Sequence, residues 1–187
     1  MNRRRLLLLA PLGVAVAGGA AFWTMLRRME EGRFDPRGVP SALVGKPVPQ
    51  FELPAQPLPA GAGQGFASAD LLAAGRPVLV NFFASWCVPC VIEHPQLMAL
   101  SREGLPVWGI AYKDKPEAAS AFLARHGNPF ARVARDAPGQ VALEWGVYGV
   151  PESYLIDPRG IVRWRYAGPL TPEVVAEQLR PLLRAMA

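Results

Sequence analysis

Soft and imidazole metal ligands are scarce in this 187-residue chain: it has two cysteines, Cys87 and Cys90, and two histidines, His94 and His126. Structural zinc takes four ligands from a complete cluster, and here the fourth would have to be His126, which closes a distant helical stretch. The ligand count therefore argues against zinc, and no metal ligands are assigned. Covalent haem attachment is excluded, because it needs His directly after Cys-x-x-Cys and Val91 stands there. Acidic residues are missing from the first 29 positions, and the twenty-one residues Leu6–Leu26 carry no charge at all. Of the 20 Lys and Arg, five (Arg3, Arg4, Arg5, Arg27, Arg28) flank that run, which leaves 15 against the 15 Asp and Glu. The net charge of +5 thus belongs to the flanks of an apolar run. The rest is formally neutral, and a nucleic-acid surface, which needs a basic stripe on the folded domain, loses its support. No internal repeat is visible.

What the chain does have is one dense stretch, Asn81–Glu93. Its two cysteines follow a short apolar run, Val78–Phe83, and precede a segment with helical spacing. A strand that feeds a helix through Trp86-Cys87-Val88-Pro89-Cys90 puts Cys87 at or next to the helix N-terminus. There, free backbone N–H groups and the positive end of the helix dipole stabilise a thiolate. The thiolate is the nucleophile of disulfide exchange, and Cys-x-x-Cys placed this way has a lowered thiol pKa. Cys87 is expected to attack and Cys90 to resolve. A purely structural staple fits less well, since this disulfide would close almost no loop.

Leu6–Leu26 as a helix spans about 30 Å, the thickness of a bilayer core. Arg3, Arg4 and Arg5 keep its start in the cytoplasm by the positive-inside rule. The competing reading is a cleaved signal peptide, with Ala15, Ala17 and Ala20 near a cleavage site. The length of the run and its Phe22-Trp23 end favour an uncleaved anchor. Either way the cysteine pair lies outside the cytoplasm. Glu30 to about Pro59 carries seven prolines, from Pro36 to Pro59, and reads as a semi-rigid lead-in. Within it Gly45–Leu53 reads as a first edge strand, and Ser68 as the cap of a short helix ending at Gly75.

From Val78 the elements alternate. Val78–Phe83 is a buried strand, Val88–Ser101 a helix that Pro95 should kink, and Val107–Tyr112 a second strand. Asp114-Lys115-Pro116-Glu117 opens a helix closed by Gly127, with Ala118, Ala119, Phe122 and Leu123 facing the core. Ser153–Ile156 and Ile161–Tyr166 form a hairpin around Asp157–Gly160. Thr171 caps a last helix with Val174, Val175, Leu179, Leu182 and Leu183 on one side. The order β-α-β-α, hairpin, α predicts one α/β domain with a mixed central sheet flanked by helices. The expected organisation is residues 1–28 as cytoplasmic stub and transmembrane anchor, 29–44 as linker, and 45–187 as the domain.

Several stretches now carry a resemblance: Gly45–Phe51, Asn81–Cys90, Glu93-His94-Pro95, Gly109–Asp114, and Gly146–Asp157 with its Gly-Val-Tyr-Gly-Val-Pro-Glu. The domain resembles the thioredoxin fold. More closely it resembles the membrane-anchored thiol-disulfide proteins of cytochrome c maturation, the DsbE/CcmG type. The likeness runs from about Gly45 onward. It implies a single-pass protein of the bacterial inner membrane with its domain in the periplasm, acting as a protein disulfide reductase. It further implies that the client is the Cys-x-x-Cys-His of apocytochrome c or a haem-ligation thiol protein, and that a DsbD/CcdA-type membrane conduit supplies electrons. No cofactor is expected beyond the Cys87–Cys90 disulfide.

The same resemblance makes Pro151 a cis-proline facing the cysteines, so that the Val150 backbone could pair with an extended substrate chain. Trp86 is expected to shield the sulfurs and contact substrate, with Tyr148 lining the same groove. Many thioredoxins carry a buried aspartate where this chain has Asn81, which cannot accept a proton. A carboxylate base for Cys90 would then be Glu93, one turn along the helix, or Glu152, next to Pro151. Both are expected to hold protons for Cys90 and raise the thiol pKa values. His94 reads as structural. Two rivals remain: an anchored reductase with another envelope client, and a metal-delivery module. The second resembles copper chaperones that have Cys-x3-Cys and a late His, which this chain lacks.

Overall fold

The computed structural model of the chain describes residues 3–30, 41–58, 61–62 and 64–186. Two units separate, Met1–Val39 and Pro40–Ala187. The first contains helix α1 (Arg3–Glu30), which continues through Pro11. Its described side chains are exposed, Val14, Val16, Phe22 and Trp23 included, and the Arg27 guanidinium lies 5.5 Å from the Trp23 ring centre. Among the described residues no stretch is long and apolar enough to cross a membrane. The predicted run Leu6–Leu26 falls partly outside them, because the side chains of residues 1–10 and Leu12 are not described. Residues 31–40 of the predicted lead-in also lie outside the described residues.

The second unit begins with four two-residue strands, β1 (Glu52–Leu53), β2 (Pro57–Leu58), β3 (Gly61–Ala62) and β4 (Phe66–Ala67). The edge strand predicted over Gly45–Leu53 is reduced to a Pro47–Ile161 bridge and the pairing of β1 with β4. Pro47, Pro49 and Pro54 have no N–H to offer a longer ladder. Helix α2 (Ser68–Ala73) is capped by Ala67 instead of Ser68: the Asp70 carboxylate accepts the Ala67 N–H at 2.8 Å. The Ser68 hydroxyl is engaged with Gln50.

Then come β5 (Val78–Phe83), α3 (Val88–Arg102), β6 (Val107–Tyr112), α4 (Pro116–His126), β7 (Arg132–Asp136), α5 (Gln140–Glu144), β8 (Glu152–Ile156) and β9 (Val162–Ala167). The five-stranded sheet has the order β7-β6-β5-β8-β9, parallel on the β7 side and antiparallel on the β9 side. It is the mixed sheet that the pattern predicts, with β7 and α5 added. Arg132-Val133-Ala134-Arg135-Asp136 hides its strand character because only Val133 and Ala134 are apolar, one facing each core cluster, between half-buried arginines at the sheet edge. Its outer edge is covered: Gln56 N–H donates to the Val133 carbonyl at 2.9 Å and Arg135 N–H to that of Pro54 at 2.9 Å. Paired backbone there leaves no open edge for another chain.

Strand parity sorts the core. Val78, Val80 and Phe82 face a cluster with Phe51, Phe66, Trp108, Trp145, Tyr154 and Ile156. Leu79 and Phe83 face the opposite cluster, which contains Cys87, Cys90, Leu97, Phe122, Phe130 and Leu155. Successive side chains of a strand point to opposite faces, so Asn81 shares the second face with Leu79 and Phe83. The first face is an aromatic packing centred on the fully buried Trp145, whose ring centre is 5.7, 5.5 and 5.0 Å from those of Phe51, Phe82 and Tyr154. Helix α3 runs through Pro95 without ending, and α4 buries Ala119, Phe122 and Leu123, with Ala118 only half-buried.

The predicted single C-terminal helix is three pieces: α6 (Pro172–Val174), a π-helical turn Val175–Leu179, and α7 (Arg180–Met186). Thr171 does cap it, its hydroxyl accepting the Val174 N–H at 3.3 Å. The turn widens next to Pro181, which has no N–H to return to the carbonyl four residues back.

Candidate active site

The strand-to-helix junction places Cys87 as the N-cap of α3, with extended backbone (φ −91°, ψ 102°). Its sulfur accepts the Cys90 backbone N–H at 3.1 Å, a first-turn donor shared with the Cys87 carbonyl at 3.1 Å and aimed at the atom that must bear negative charge. Pro89 sits in the first turn, where its missing N–H costs nothing. The two cysteines are joined as a disulfide, and both are buried.

The segment entering the helix is tied to the loop after β6. Ser85 donates its backbone N–H and its hydroxyl to the Asp114 carboxylate, which also accepts the Lys115 N–H at 2.8 Å. The Trp86 indole N–H reaches the Lys113 carbonyl at 3.3 Å. Asp114 therefore holds the approach to Cys87, and Lys115, not Asp114, caps α4. In the sequence Asp114 reads as part of a helix opening and of the Gly109–Asp114 resemblance; a short acid at a strand end, facing a Ser two residues before a Cys, is a signal visible only once β5 and β6 pair. Asp114→Ala is expected to destabilise the protein by about 2 kcal/mol, since a buried N–H and a hydroxyl lose their acceptor. Urea unfolding of the oxidised protein measures it.

Strand parity decides the surroundings of the two candidate carboxylates. Glu93 lies one turn after Cys90 and points inward to β5. Its Oε1 accepts from Asn81 Nδ2 at 2.8 Å and its Oε2 from the Leu170 N–H at 3.0 Å. Asn81 Nδ2 also donates to Ser153 Oγ at 3.0 Å, the residue it faces across the β5–β8 ladder. Glu93 is fully buried, and burial pushes its carboxyl up to about 7, against the pull of the Leu170 and Asn81 donors. Asn81 thus does not leave the site without an acid. It supports the acid that reaches it from the helix.

Glu152 shares a face with Tyr154 and Phe82, opposite to the face of Asn81 and Ser153. Its Oε1 is 2.6 Å from Arg165 Nε and 2.6 Å from the Tyr154 hydroxyl, and its Oε2 accepts the Tyr148 N–H at 3.2 Å. The Tyr154 phenol is held well above its ordinary range by burial, with the neighbouring Glu152 charge next. The two acids expected to act together on Cys90 are therefore held by separate networks on opposite sides of the sheet.

Trp86 and Tyr148 are both largely exposed, at 57% and 69%, as are Val88 and Ile92 on the first turns of α3 at 71% and 63%. An apolar surface thus rims the buried disulfide. Val150 packs against both core clusters, Pro151 is buried, and their peptide bond is cis. His94 is buried, with its Nε2 2.9 Å from the Gly127 carbonyl, and burial holds its pKa below the usual histidine value. The other histidine comes close, contrary to the sequence reading: the His94 and His126 ring centres are 5.9 Å apart, because α3 packs beside the end of α4. Among the described residues no group of three or more His, Cys, Asp or Glu could hold a metal ion.

Comparison with known proteins gives a consistent picture. The Redoxin family model matches residues 43–179. The thiol:disulfide interchange protein DsbE of Escherichia coli K12 is 45% identical over 179 residues, covering 96% of this chain and 94% of that protein. HelX of Rhodobacter capsulatus, also a thiol:disulfide interchange protein, is 41% identical over 169 residues and 90% of each chain. A solved DsbE-type structure from Chlorobium tepidum superposes with a TM-score of 0.61 at 31% identity, covering 77% of this chain and 98% of that one.

Proposed function

The chain belongs to the DsbE family of thiol:disulfide interchange proteins, and from that premise we propose that it serves as a reductant in cytochrome c maturation. It is a thiol:disulfide oxidoreductase of thioredoxin-like fold. The observation that carries the mechanism is the Cys90 N–H donated to the Cys87 sulfur at the helix N-terminus. Reduced Cys87 attacks one sulfur of a partner disulfide as the thiolate. That S–S bond breaks, a mixed disulfide forms, and the freed partner sulfur takes up a proton. Cys90, its proton removed, attacks the Cys87 sulfur and releases the partner's second thiolate. Two electrons pass to the partner, and the Cys87–Cys90 disulfide remains. The sulfurs carry the electrons, and no cofactor takes part.

Glu93 takes the Cys90 proton in this reading, being the acid one helical turn away. Trp86, Tyr148, Val150 and Pro151 receive the substrate chain, whose backbone pairs with Val150. The client is the Cys-x-x-Cys-His of apocytochrome c, or a haem-ligation thiol protein acting on it. A DsbD/CcdA-type membrane protein recharges the sulfurs. The uncharged run Leu6–Leu26, within α1 and preceded by Arg3, Arg4 and Arg5, supports an inner-membrane anchor with the domain in the periplasm.

The test is a trap. Full-length Cys90→Ser protein is expressed in its own membrane, and chains held to Cys87 are identified by non-reducing gel and mass spectrometry. Capture of apocytochrome c or of a haem-ligation thiol protein is the expected result. Capture of many unrelated envelope proteins leaves the chemistry standing and overturns the pathway.

A further inference from the structure

The chain beyond Met29 is neutral in total charge, but the fold does not spread its charges evenly. Val78, the first residue of β5, pairs with Ile156, the last of β8, while Phe82 pairs with Glu152. The turn Asp157–Gly160 therefore lies at the end of the sheet opposite to the cysteine pair, which follows the other end of β5. Six arginines gather at that far end. Arg102 closes α3, and Arg76 donates to the Gly104 carbonyl just beyond it. Arg180 pairs with Glu103 at 2.8 Å, which brings α7 there too, and Arg184 follows one turn later. Arg159 and Arg163 share an open groove of about 670 Å³ with Asp157, Leu182 and Met186. Among the described residues two carboxylates, Glu103 and Asp157, pair with the six. Asp70, at the same end, is matched by Arg132 at 3.0 Å. The neutral total thus conceals a basic pole.

We infer that this arginine-rich pole docks on the anionic headgroups of a phospholipid bilayer, so that the cysteine pair, at the opposite end of the sheet, faces away from the lipid. This rests on the reading of Leu6–Leu26 as a membrane anchor, which keeps a bilayer within reach: residues 31–40 span at most about 35 Å. The planar guanidinium binds phosphate oxygens through two parallel N–H bonds, and all six charges here are arginines. The Arg159 side chain is 76% exposed, and Arg102 and Arg184 are exposed as well. Leu182 and Met186, half-buried along the groove between Arg159 and Arg163, add apolar surface of the kind that settles into the headgroup boundary. A nucleic-acid partner would call for a stripe that tracks a backbone, whereas these charges cap one end of the domain around an apolar groove. Each basic residue near an anionic surface strengthens binding about fivefold, and the attraction fades within a Debye length. Docking of this kind fixes which way the disulfide faces and leaves the apolar rim of Trp86, Val88 and Ile92 open to partners.

The experiment places the full-length protein in phospholipid nanodiscs, one set of phosphatidylcholine alone and one containing phosphatidylglycerol, and follows backbone hydrogen exchange by mass spectrometry. Exchange at residues 157–163 and 180–186 is expected to slow about tenfold in the anionic discs relative to the zwitterionic ones. The difference should vanish in about 1 M salt, where charges are screened within a few ångströms. Exchange over Val88–Ile92 should be the same in both lipids. The variant Arg102→Gln/Arg159→Gln/Arg184→Gln removes three exposed charges and leaves the Arg163–Asp157 and Arg180–Glu103 pairs in place, so the fold is kept. It should weaken docking about 100-fold and erase the lipid difference. Equal exchange in the two lipids, protection that survives in the triple variant, or protection at Val88–Ile92 in place of the far end overturns the proposal. Failure of the chain to enter the discs overturns the anchor reading instead, and the same chain is then sedimented with phosphatidylglycerol vesicles. Binding that the triple variant loses upholds the docking, and absence of binding overturns it. Either result is independent of which client the Cys90→Ser trap captures.

Discussion

Cys87→Ser is expected to lower disulfide-reducing activity by at least about three orders of magnitude, the scale on which an enzyme loses its nucleophile. A serine hydroxyl stays protonated at neutral pH, and the helix N-terminus that stabilises a thiolate cannot deprotonate it. The chain has no other cysteine besides Cys90 to take over. Cys90 cannot substitute in place, because the backbone N–H that stabilises the reacting sulfur is its own and points at position 87. Cys90→Ser behaves differently. Its Cys87 attacks once, and the mixed disulfide accumulates to one per chain because nothing resolves it. Turnover is lost in both variants, but only one forms the adduct. Mass spectrometry of each, after mixing with an oxidised peptide, reads this directly. An adduct on Cys87→Ser and none on Cys90→Ser would reverse the two roles.

Much of this site is local in sequence, which explains why it could be read there. The strand Val78–Phe83, the cysteine pair and the helix that follows are contiguous, and their positions follow from apolar runs and helical spacing. What was hidden depends on pairing between distant elements. Asn81 looks like the loss of an acid until the register places it opposite Ser153 and under Glu93. Glu93 and Glu152 look like equivalent neighbours of the sulfurs until strand parity sends Glu152 to the Trp145 side. Asp114 looks like part of a helix opening until β6 ends beside the turn that leads to Cys87. Strand β7 escapes for a different reason: its arginines sit at a sheet edge, where a buried strand's apolar run is not required. The approach of His126 to His94 depends on the packing of α4 beside α3, which no local pattern encodes.

Glu93→Gln should move stability and rate in opposite directions, and that opposition separates its role from simple packing. Burial holds the Glu93 carboxyl at about 7 against an ordinary 4.5. Between those values the folded protein keeps a proton that the unfolded chain gives up. The stability from protonated Glu93 is therefore complete below pH 4.5 and is lost as the pH rises through about 7. Above that, the ionised, buried carboxylate costs roughly 3 kcal/mol. Glutamine does not ionise, but its one carbonyl cannot accept from both Asn81 and Leu170, a loss of about 1 kcal/mol. Urea unfolding of the oxidised protein should then show the variant more stable by about 2 kcal/mol at about pH 8, nearly equal to the parent at about pH 5, and less stable by about 1 kcal/mol at about pH 3.5. The resolving step runs the other way. Without an acceptor one helical turn from Cys90, release of the mixed disulfide at about pH 8 should slow by about 10²-fold, and its inflection near pH 7 should disappear. Stabilisation at high pH with an unchanged resolving step would leave Glu93 as a buried acid that strains the fold and does nothing for Cys90. A slowed resolving step without the high-pH stabilisation would mean that Asn81 and Leu170 hold the carboxylate ionised throughout.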